Sequence, residues 1–213
     1  MTFKNTVIFG DSYSTFKGHI PEGYAFYYPP TIPERPMIDD VADTWWWALM
    51  KETNSNLVRN DSWSGSTIGY TGYNGADTST LSSFIYRVRV LEAEGFFKKN
   101  EIDTVFVFGA TNDSWSDAPI GKNKYKNVKE EDLYFVLPGV CHLLENLKRL
   151  LPKANITFII NSELKDEITS GIKRACKHYK IKTIALENID KKSGHPTVQG
   201  MKEIKKQILD SFK

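Results

Sequence analysis

Residues 6–12 read Thr-Val-Ile-Phe-Gly-Asp-Ser, a short apolar run that ends abruptly in glycine and small polar side chains. Residues 104–113, Thr-Val-Phe-Val-Phe-Gly-Ala-Thr-Asn-Asp, repeat this arrangement further along the chain. Both runs are almost continuously apolar, which is typical of parallel strands covered by helices on both faces. Further runs complete a predicted set of five strands at 6–9, 56–59, 104–108, 156–160 and 182–185.

Helical stretches lie between these runs, with apolar side chains spaced three and four residues apart. The stripes fall at 140–151, 168–179 and 201–212, and residues 45–51 and 81–97 supply two more. Strands that alternate with helices predict a parallel sheet with right-handed crossovers, in a three-layer α/β/α sandwich. The common strand order for such a sheet is 2-1-3-4-5, and we expect it here.

The chain has 213 residues, which fits a single domain built on one hydrophobic core. Its 28 basic and 26 acidic residues give a net charge of +2, so neither nucleic acid nor a membrane is indicated as a partner. The first ten residues are strand-like and lack the long apolar segment of a signal peptide, which predicts a cytoplasmic protein. Cys141 and Cys176 fall in helical apolar patterns and are predicted to be buried, reduced thiols.

Two long loops interrupt the compact repeat of strand and helix. Residues 18–43 carry five prolines together with several tyrosines, and residues 62–77 carry four glycines together with Trp63, Tyr70 and Tyr73. Loops of this length are usually functional or disordered, and their aromatic content argues against disorder. Each follows a predicted strand, so both are expected at the carboxyl edge of the sheet.

Ser12 and His195 are the candidate catalytic pair. In an open parallel sheet, ligands bind beyond the carboxyl ends of the strands, between the first and third strands for the expected order. Ser12 follows the first strand, and its hydroxyl needs a neighbouring base to act as a nucleophile. His195 follows the last strand and precedes the last helix, which returns it to the same edge. His19, in the first long loop, is a weaker candidate for the base.

An oxyanion hole is also expected at this edge of the sheet. Attack on an ester carbonyl creates a tetrahedral oxyanion, and each donor aimed at it is worth about 3 kcal/mol in comparable enzymes. The backbone N–H groups of Ser12 and Gly65 and the side-chain amide of Asn112 are the predicted donors. Each of these residues closely follows a different predicted strand.

The arrangement resembles the SGNH hydrolase superfamily, also called GDSL-like lipases and esterases. The resemblance rests on Gly10-Asp11-Ser12, on Gly65, on Gly109-Ala110-Thr111-Asn112-Asp113 and on Gly194-His195-Pro196-Thr197, and it spans nearly the whole chain. It implies a flavodoxin-like sandwich and ester hydrolysis without a cofactor. It also implies that Ser12 is the nucleophile, His195 the base, and Gly65 and Asn112 oxyanion donors.

One position departs from the family pattern. The family usually places an aspartate three residues before the catalytic histidine, and this chain has Lys192 there. A lysine cannot accept a hydrogen bond from the imidazole. Three outcomes follow: Asp190 or Glu187 reaches the ring, with Asp190 the better candidate; a backbone carbonyl holds the ring in a Ser–His dyad; or the site is inactive.

Several alternatives remain open from the sequence. Asp11 and Asp113 flank the expected crevice, but each is better explained as a turn cap, and no metal is predicted. The loop aromatics favour a small ester such as an O-acetyl group on a carbohydrate over a long acyl chain. The alternatives are a thioesterase or lysophospholipase that acts on longer chains, and a non-catalytic binding domain, which Lys192 favours. A nucleotide-binding flavodoxin-like domain is disfavoured because no phosphate-binding loop is present.

Overall fold

The computed structural model describes residues 2–213 and has a central sheet of five parallel strands in the order β2-β1-β3-β4-β5. The predicted three-layer class and strand order are confirmed. The strands begin and end within a few residues of the predicted positions. They are β1 (Asn5–Gly10), β2 (Asn56–Ser62), β3 (Thr104–Gly109), β4 (Asn155–Ile160) and β5 (Lys182–Ala185).

Two hydrophobic cores lie on opposite faces of the sheet because successive strand side chains point to opposite sides. Val7 and Val105 belong to one core, whereas their neighbours Ile8 and Phe106 belong to the other. All four side chains are buried. The continuous apolar runs of the sequence therefore reflect burial of the sheet on both faces.

Helices cover both faces of the sheet and complete the three layers. Helices α1 (Trp45–Glu52) and α7 (Val198–Asp210) pack together on one face. The opposite face is covered mainly by α2 (Phe84–Ala93), α5 (Val136–Leu150) and α6 (Asp166–Tyr179). The shorter helices are α3 (Phe96–Lys99) and α4 (Thr111–Trp115). No helix within residues 2–213 has the length and apolar character needed to cross a bilayer.

One helix differs from its prediction. The sequence predicts a continuous helix over 81–97, but the structure has α2 and α3 separated at Gly95. Gly95 has a φ of 73°, a left-handed conformation that ends a helix and that glycine adopts without steric cost. The apolar spacing continues across this break, so periodicity alone does not reveal it.

A two-stranded antiparallel ribbon follows β5 and was not predicted. It pairs β6 (Lys191–Lys192) with β7 (His195–Pro196). Ser193 and Gly194 connect the two strands with φ values of 50° and 75°. Positive φ at both central residues is typical of the tightest hairpin turns, and it fixes where His195 leaves the ribbon.

The first long loop is packed against the protein rather than free. Tyr27 and Tyr28 are buried, and the Tyr28 hydroxyl donates to the backbone carbonyl of Pro196 at 2.9 Å. The second loop is joined to the first where the Tyr24 and Trp63 rings lie 4.3 Å apart. The predicted helix positions of Cys141 and Cys176 are also confirmed, and both side chains are buried.

Candidate active site

Ser12 opens a short 3-10 helix, Ser12–Ser14, directly after β1. The Asp11 carboxylate caps this turn by accepting a hydrogen bond from the Tyr13 backbone N–H at 3.0 Å, as the sequence predicts. The Ser12 hydroxyl oxygen lies 2.9 Å from Nε2 of His195. The fold therefore brings the predicted nucleophile and the predicted base, from opposite ends of the chain, into hydrogen-bond contact.

The hydrogen-bond partners of His195 define which ring nitrogen carries the proton. Nδ1 lies 3.2 Å from the backbone carbonyl oxygen of Ser193, which can only accept. Nδ1 therefore carries the proton, and Nε2 is free to accept the hydroxyl proton of Ser12. This is the tautomer that a general base requires for activating a serine.

The imidazole of His195 is held in its neutral form. Burial is the main cause and lowers its pKa from 6.5 to about 4. The hydrogen bond to Ser193 opposes this shift, whereas the positive charges of Arg35 and Lys191 add to it. His195 is consequently a weak but unprotonated base at neutral pH.

Within residues 2–213, neither of the two expected carboxylates takes the place of the family's aspartate. The carboxylate of Asp190 accepts a hydrogen bond from the Thr197 hydroxyl, and Glu187 is exposed. The structure therefore does not bring Asp190, the expected substitute, to the imidazole. The physical reason is the ribbon turn, which places the Ser193 carbonyl against Nδ1, while Asp190 bonds the hydroxyl of Thr197, the residue that caps α7.

The two predicted backbone donors of the oxyanion hole are the N–H groups of Ser12 and Gly65. Gly65 has a φ of 83°, in the left-handed region that favours glycine. Neither the Gly65 N–H nor the Ser12 N–H has a hydrogen-bond acceptor within residues 2–213. Both donors are available to a ligand.

The Asn112 side chain is held in one orientation by two partners. Its amide nitrogen donates to the Ser66 carbonyl at 2.9 Å, next to Gly65, and its amide oxygen accepts from the Tyr73 hydroxyl at 2.9 Å. The amide nitrogen has two hydrogens, so one remains for a substrate oxyanion. In the sequence, Tyr73 is recognisable only as one of the loop aromatics, and no pattern predicts its contact with Asn112.

Asp113 connects the loop after β2 to the end of β3. Its carboxylate accepts hydrogen bonds from the backbone N–H groups of Ile68 and Gly69, at 2.9 and 3.4 Å. The prediction that Asp113 caps a local turn is therefore wrong, because its partners lie far away in the sequence. Burial raises the pKa of Asp113 to about 6.

Arg87 stabilises the same region, and no sequence pattern indicated this role. The Arg87 guanidinium donates to the Asp61 carboxylate at 2.7 Å, to the Gly10 carbonyl at 3.2 Å and to the Ser66 hydroxyl at 3.3 Å. Arg87 and Asp61 are both buried, so the pair satisfies two charges that are costly to bury alone. It joins the segments that carry Ser12 and Gly65.

The remaining histidines lie elsewhere. The His19 ring packs against Phe16 and Trp47, which excludes it as the base for Ser12 in this structure. His142 lies in α5 and His178 in α6. His195 is thus the histidine that contacts Ser12, the predicted nucleophile.

Comparisons with known proteins agree with this geometry. The family model described as GDSL-like Lipase/Acylhydrolase matches residues 4–212. The crystal structure of a protein described as a GDSL-like lipase from Bacteroides uniformis matches with a TM-score of 0.89 and 43% identity, over 98% of this chain and 94% of that chain. A counterpart from Bacteroides ovatus matches with a TM-score of 0.90 and 40% identity, over 100% of this chain and 99% of that chain. No match is found among curated proteins.

A more distant likeness concerns the fold alone. A family two carbohydrate esterase from Clostridium thermocellum matches with a TM-score of 0.67 and 15% identity, over 99% of this chain and 63% of that chain. The family model and the two close matches, by contrast, cover almost the entire chain. The chain therefore belongs to the GDSL-like lipase/acylhydrolase family of the SGNH hydrolase superfamily, and it is an esterase of that type.

Proposed function

We propose that the protein hydrolyses small esters through Ser12 as nucleophile and His195 as general base, in a dyad without a carboxylate. The observation that carries this proposal is the 2.9 Å contact between the Ser12 hydroxyl and Nε2 of His195, in the tautomer set by Ser193. The Asp190 role expected from sequence is not part of the proposal, because its carboxylate is bonded to Thr197.

The reaction proceeds in two halves. The Ser12 oxygen attacks the ester carbonyl as Nε2 of His195 takes its proton, and the oxyanion accepts hydrogen bonds from Ser12, Gly65 and Asn112. The tetrahedral intermediate collapses, and the alcohol leaves with the proton from Nε2. Water then attacks the acyl-enzyme, with His195 again acting as base, and releases the acid and free Ser12.

The substrate class we propose is an O-acetyl group on a carbohydrate. Tyr73 and Trp115, at the rim of the site, expose 42% and 41% of their surface, and aromatic rings of this kind suit stacking on sugar faces. Trp115 lies edge-on to His195 with ring centroids 5.5 Å apart, so a stacked sugar would lie close to the dyad. One structure with the same fold, a family two carbohydrate esterase, is in complex with cellohexaose.

Activity-based labelling tests the catalytic part of the proposal. A fluorophosphonate probe is expected to label the wild-type protein and to leave Ser12→Ala unlabelled. Failure to label the folded wild-type protein would contradict a Ser12 nucleophile. It would favour the second candidate function, a non-catalytic ligand-binding domain.

That second function has one specific observation in its favour, the replacement of the family's aspartate by Lys192. One carbohydrate esterase that matches with a TM-score of 0.67 and 14% identity has an active site with catalytic and non-catalytic binding functions. Binding of an acetylated oligosaccharide by a wild-type protein that neither reacts with the probe nor releases acetate would support this function.

Substrate series test the acyl and sugar specificity. Rates with p-nitrophenyl acetate are expected to exceed those with the octanoate, and a clear preference for octanoate would favour the alternative of a thioesterase or lysophospholipase. With an acetylated oligosaccharide, Trp115→Ala is expected to raise KM about tenfold, while Trp115→Phe keeps an aromatic surface and stays near wild type. An equal effect of Trp115→Ala on p-nitrophenyl acetate would argue against sugar stacking.

A further inference from the structure

The ring of His195 is fixed by more than its two hydrogen bonds. In a triad a carboxylate orients the imidazole, but here Nδ1 meets only the Ser193 carbonyl at 3.2 Å. A single neutral hydrogen bond to backbone is weaker than a bond to a carboxylate. Other contacts must restrict rotation of the ring about its χ angles if Nε2 is to stay aimed at Ser12.

Tyr27 makes the closest ring contact with His195. The two rings are stacked, with centroids 3.6 Å apart and an angle of 8° between their planes. The Arg35 guanidinium carbon lies 4.4 Å from the Tyr27 centroid. Because one ring face has no room for both groups at these distances, the tyrosine ring lies between the imidazole and the guanidinium.

Tyr27 is also tied to the nucleophile's own turn. Its backbone N–H donates to the Thr15 hydroxyl at 2.9 Å, and that hydroxyl donates to the Ser12 carbonyl at 3.0 Å. A displacement of the Ser12 turn therefore carries the stacking ring with it. This connection keeps the Ser12 turn aligned with the ring that stacks on His195.

Lys192, which replaces the family's aspartate, connects the ribbon to the loop that carries Arg35. Its ammonium group donates to the carbonyls of Pro33 and Arg35, at 3.1 and 3.5 Å. The neighbouring Ser193 hydroxyl donates to the Glu34 carbonyl at 3.0 Å. Lys192 is paired directly with His195 across the ribbon, so the loop over Tyr27 is fastened beside the catalytic base.

We propose that Tyr27 is a positioning residue that fixes the plane of the His195 imidazole in place of a triad carboxylate, and that Lys192 and Arg35 hold Tyr27 in that position. The proposal rests on the proposed function, since it concerns the same dyad. Stacking restricts the plane of the ring, the Ser193 carbonyl selects its tautomer, and Lys192 fastens the loop whose Arg35 covers the outer face of Tyr27. None of these contacts needs an acid near Nδ1.

Substitutions of Tyr27 give the first test. Tyr27→Phe keeps the ring and is expected to retain kcat for p-nitrophenyl acetate within about threefold. Tyr27→Leu is expected to lower kcat about 30-fold with KM nearly unchanged, because misplacement of a catalytic group costs rate rather than binding. Phe26→Leu is the matched control, since its ring faces Lys17, and kcat should not change.

The pH profile and probe labelling separate positioning from a general loss of structure. In Tyr27→Leu the acidic limb of kcat/KM is expected to move to higher pH. Water then reaches the imidazole and Arg35 no longer packs on an aromatic ring, so the pKa of His195 is lowered less. Fluorophosphonate labelling should persist at a reduced rate. Wild-type protein that fails to label overturns the proposed function itself, whereas labelled wild type with an unaffected Tyr27→Leu overturns only the positioning role.

Two substitutions on the surface keep the proposal testable if Tyr27→Leu does not fold. Lys192→Met and Arg35→Met remove the contacts that hold Tyr27 and leave the dyad unchanged, and each is expected to lower kcat about threefold to tenfold without changing the melting temperature. Wild-type kcat in both variants would show that Lys192 and Arg35 do not hold Tyr27 in its catalytic position. Equal losses in Tyr27→Phe and Tyr27→Leu would show that the hydroxyl, not the stacked ring, is needed.

Discussion

The pH dependence of ester hydrolysis tests the dyad most directly. General base catalysis needs the neutral imidazole, so activity is lost as pH falls through the pKa of His195. Burial, with Arg35 and Lys191 nearby, lowers that pKa to about 4, and the Ser193 carbonyl is the group that opposes the shift. We therefore expect hydrolysis to persist well into the acidic range.

The size of the effect follows from the two pKa values. With a pKa of about 4, roughly nine tenths of the imidazole is neutral at pH 5, whereas with the usual value near 6.5 only about 3% would be neutral. The wild-type kcat/KM at pH 5 should then be about nine tenths of its plateau, about 30-fold above the expectation for an ordinary histidine. A base this weak also lowers the plateau itself, because proton transfer follows basicity.

The assay is release of acetate from p-nitrophenyl acetate between pH 3.5 and 8, corrected for the rate of Ser12→Ala at each pH. Far-ultraviolet circular dichroism at every pH shows that the fold persists where rates are compared. Lys191→Met is the companion variant. It should move the acidic limb to higher pH by less than Tyr27→Leu, which exposes the imidazole, because burial is the larger cause of the lowered pKa. An acidic limb near pH 6.5 in folded wild-type protein would contradict a lowered pKa for His195.

Three further predictions concern neighbouring groups. Asp190→Asn should keep kcat within about threefold, because the Asp190 carboxylate bonds Thr197 and not His195. Loss of a true triad acid would instead lower kcat about 10⁴-fold, and steady-state kinetics distinguish the two outcomes. Asn112→Ala should lower kcat by about 10²–10³-fold, and Tyr73→Phe by about tenfold, with little change in KM for p-nitrophenyl acetate. Burial raises the pKa of Asp11 from 3.8 to about 7, so the folded state loses stability as pH rises between those values. Asp11→Asn should therefore melt about 5 °C above wild type at pH 8 by calorimetry and lose this advantage near pH 4; an equal difference at both values would contradict the burial argument.

The layers of the fold were predictable because each depends on a local pattern. Continuous apolar strands such as 104–108 require cover on both faces, and helical stripes between them supply it. The break at Gly95 was not predictable from spacing, since the apolar period runs through it. The β6–β7 ribbon was also missed because two-residue strands are too short to show a period.

The candidate site was predictable as a set of residue types but not as a network. Ser12, Gly65, Asn112 and His195 each follow a strand of the central sheet, and parallel strands end at one edge, so their convergence follows from topology. Arg87 gave no signal because a buried arginine in a helix has the same sequence pattern as an exposed one. Its partners, Asp61 and Gly10, become visible only once the strands are paired.

From the amino-acid sequence we could predict the three-layer class, the strand order and a set of candidate site residues at the carboxyl edge of the sheet. How His195 is held became visible in the folded protein: the Ser193 carbonyl lies at Nδ1, Tyr27 stacks on the ring, and Asp190 bonds Thr197. The physical reason is that strand and helix periods are encoded by near neighbours in sequence. The orientation of one side chain depends on contacts among segments that only the finished fold brings together.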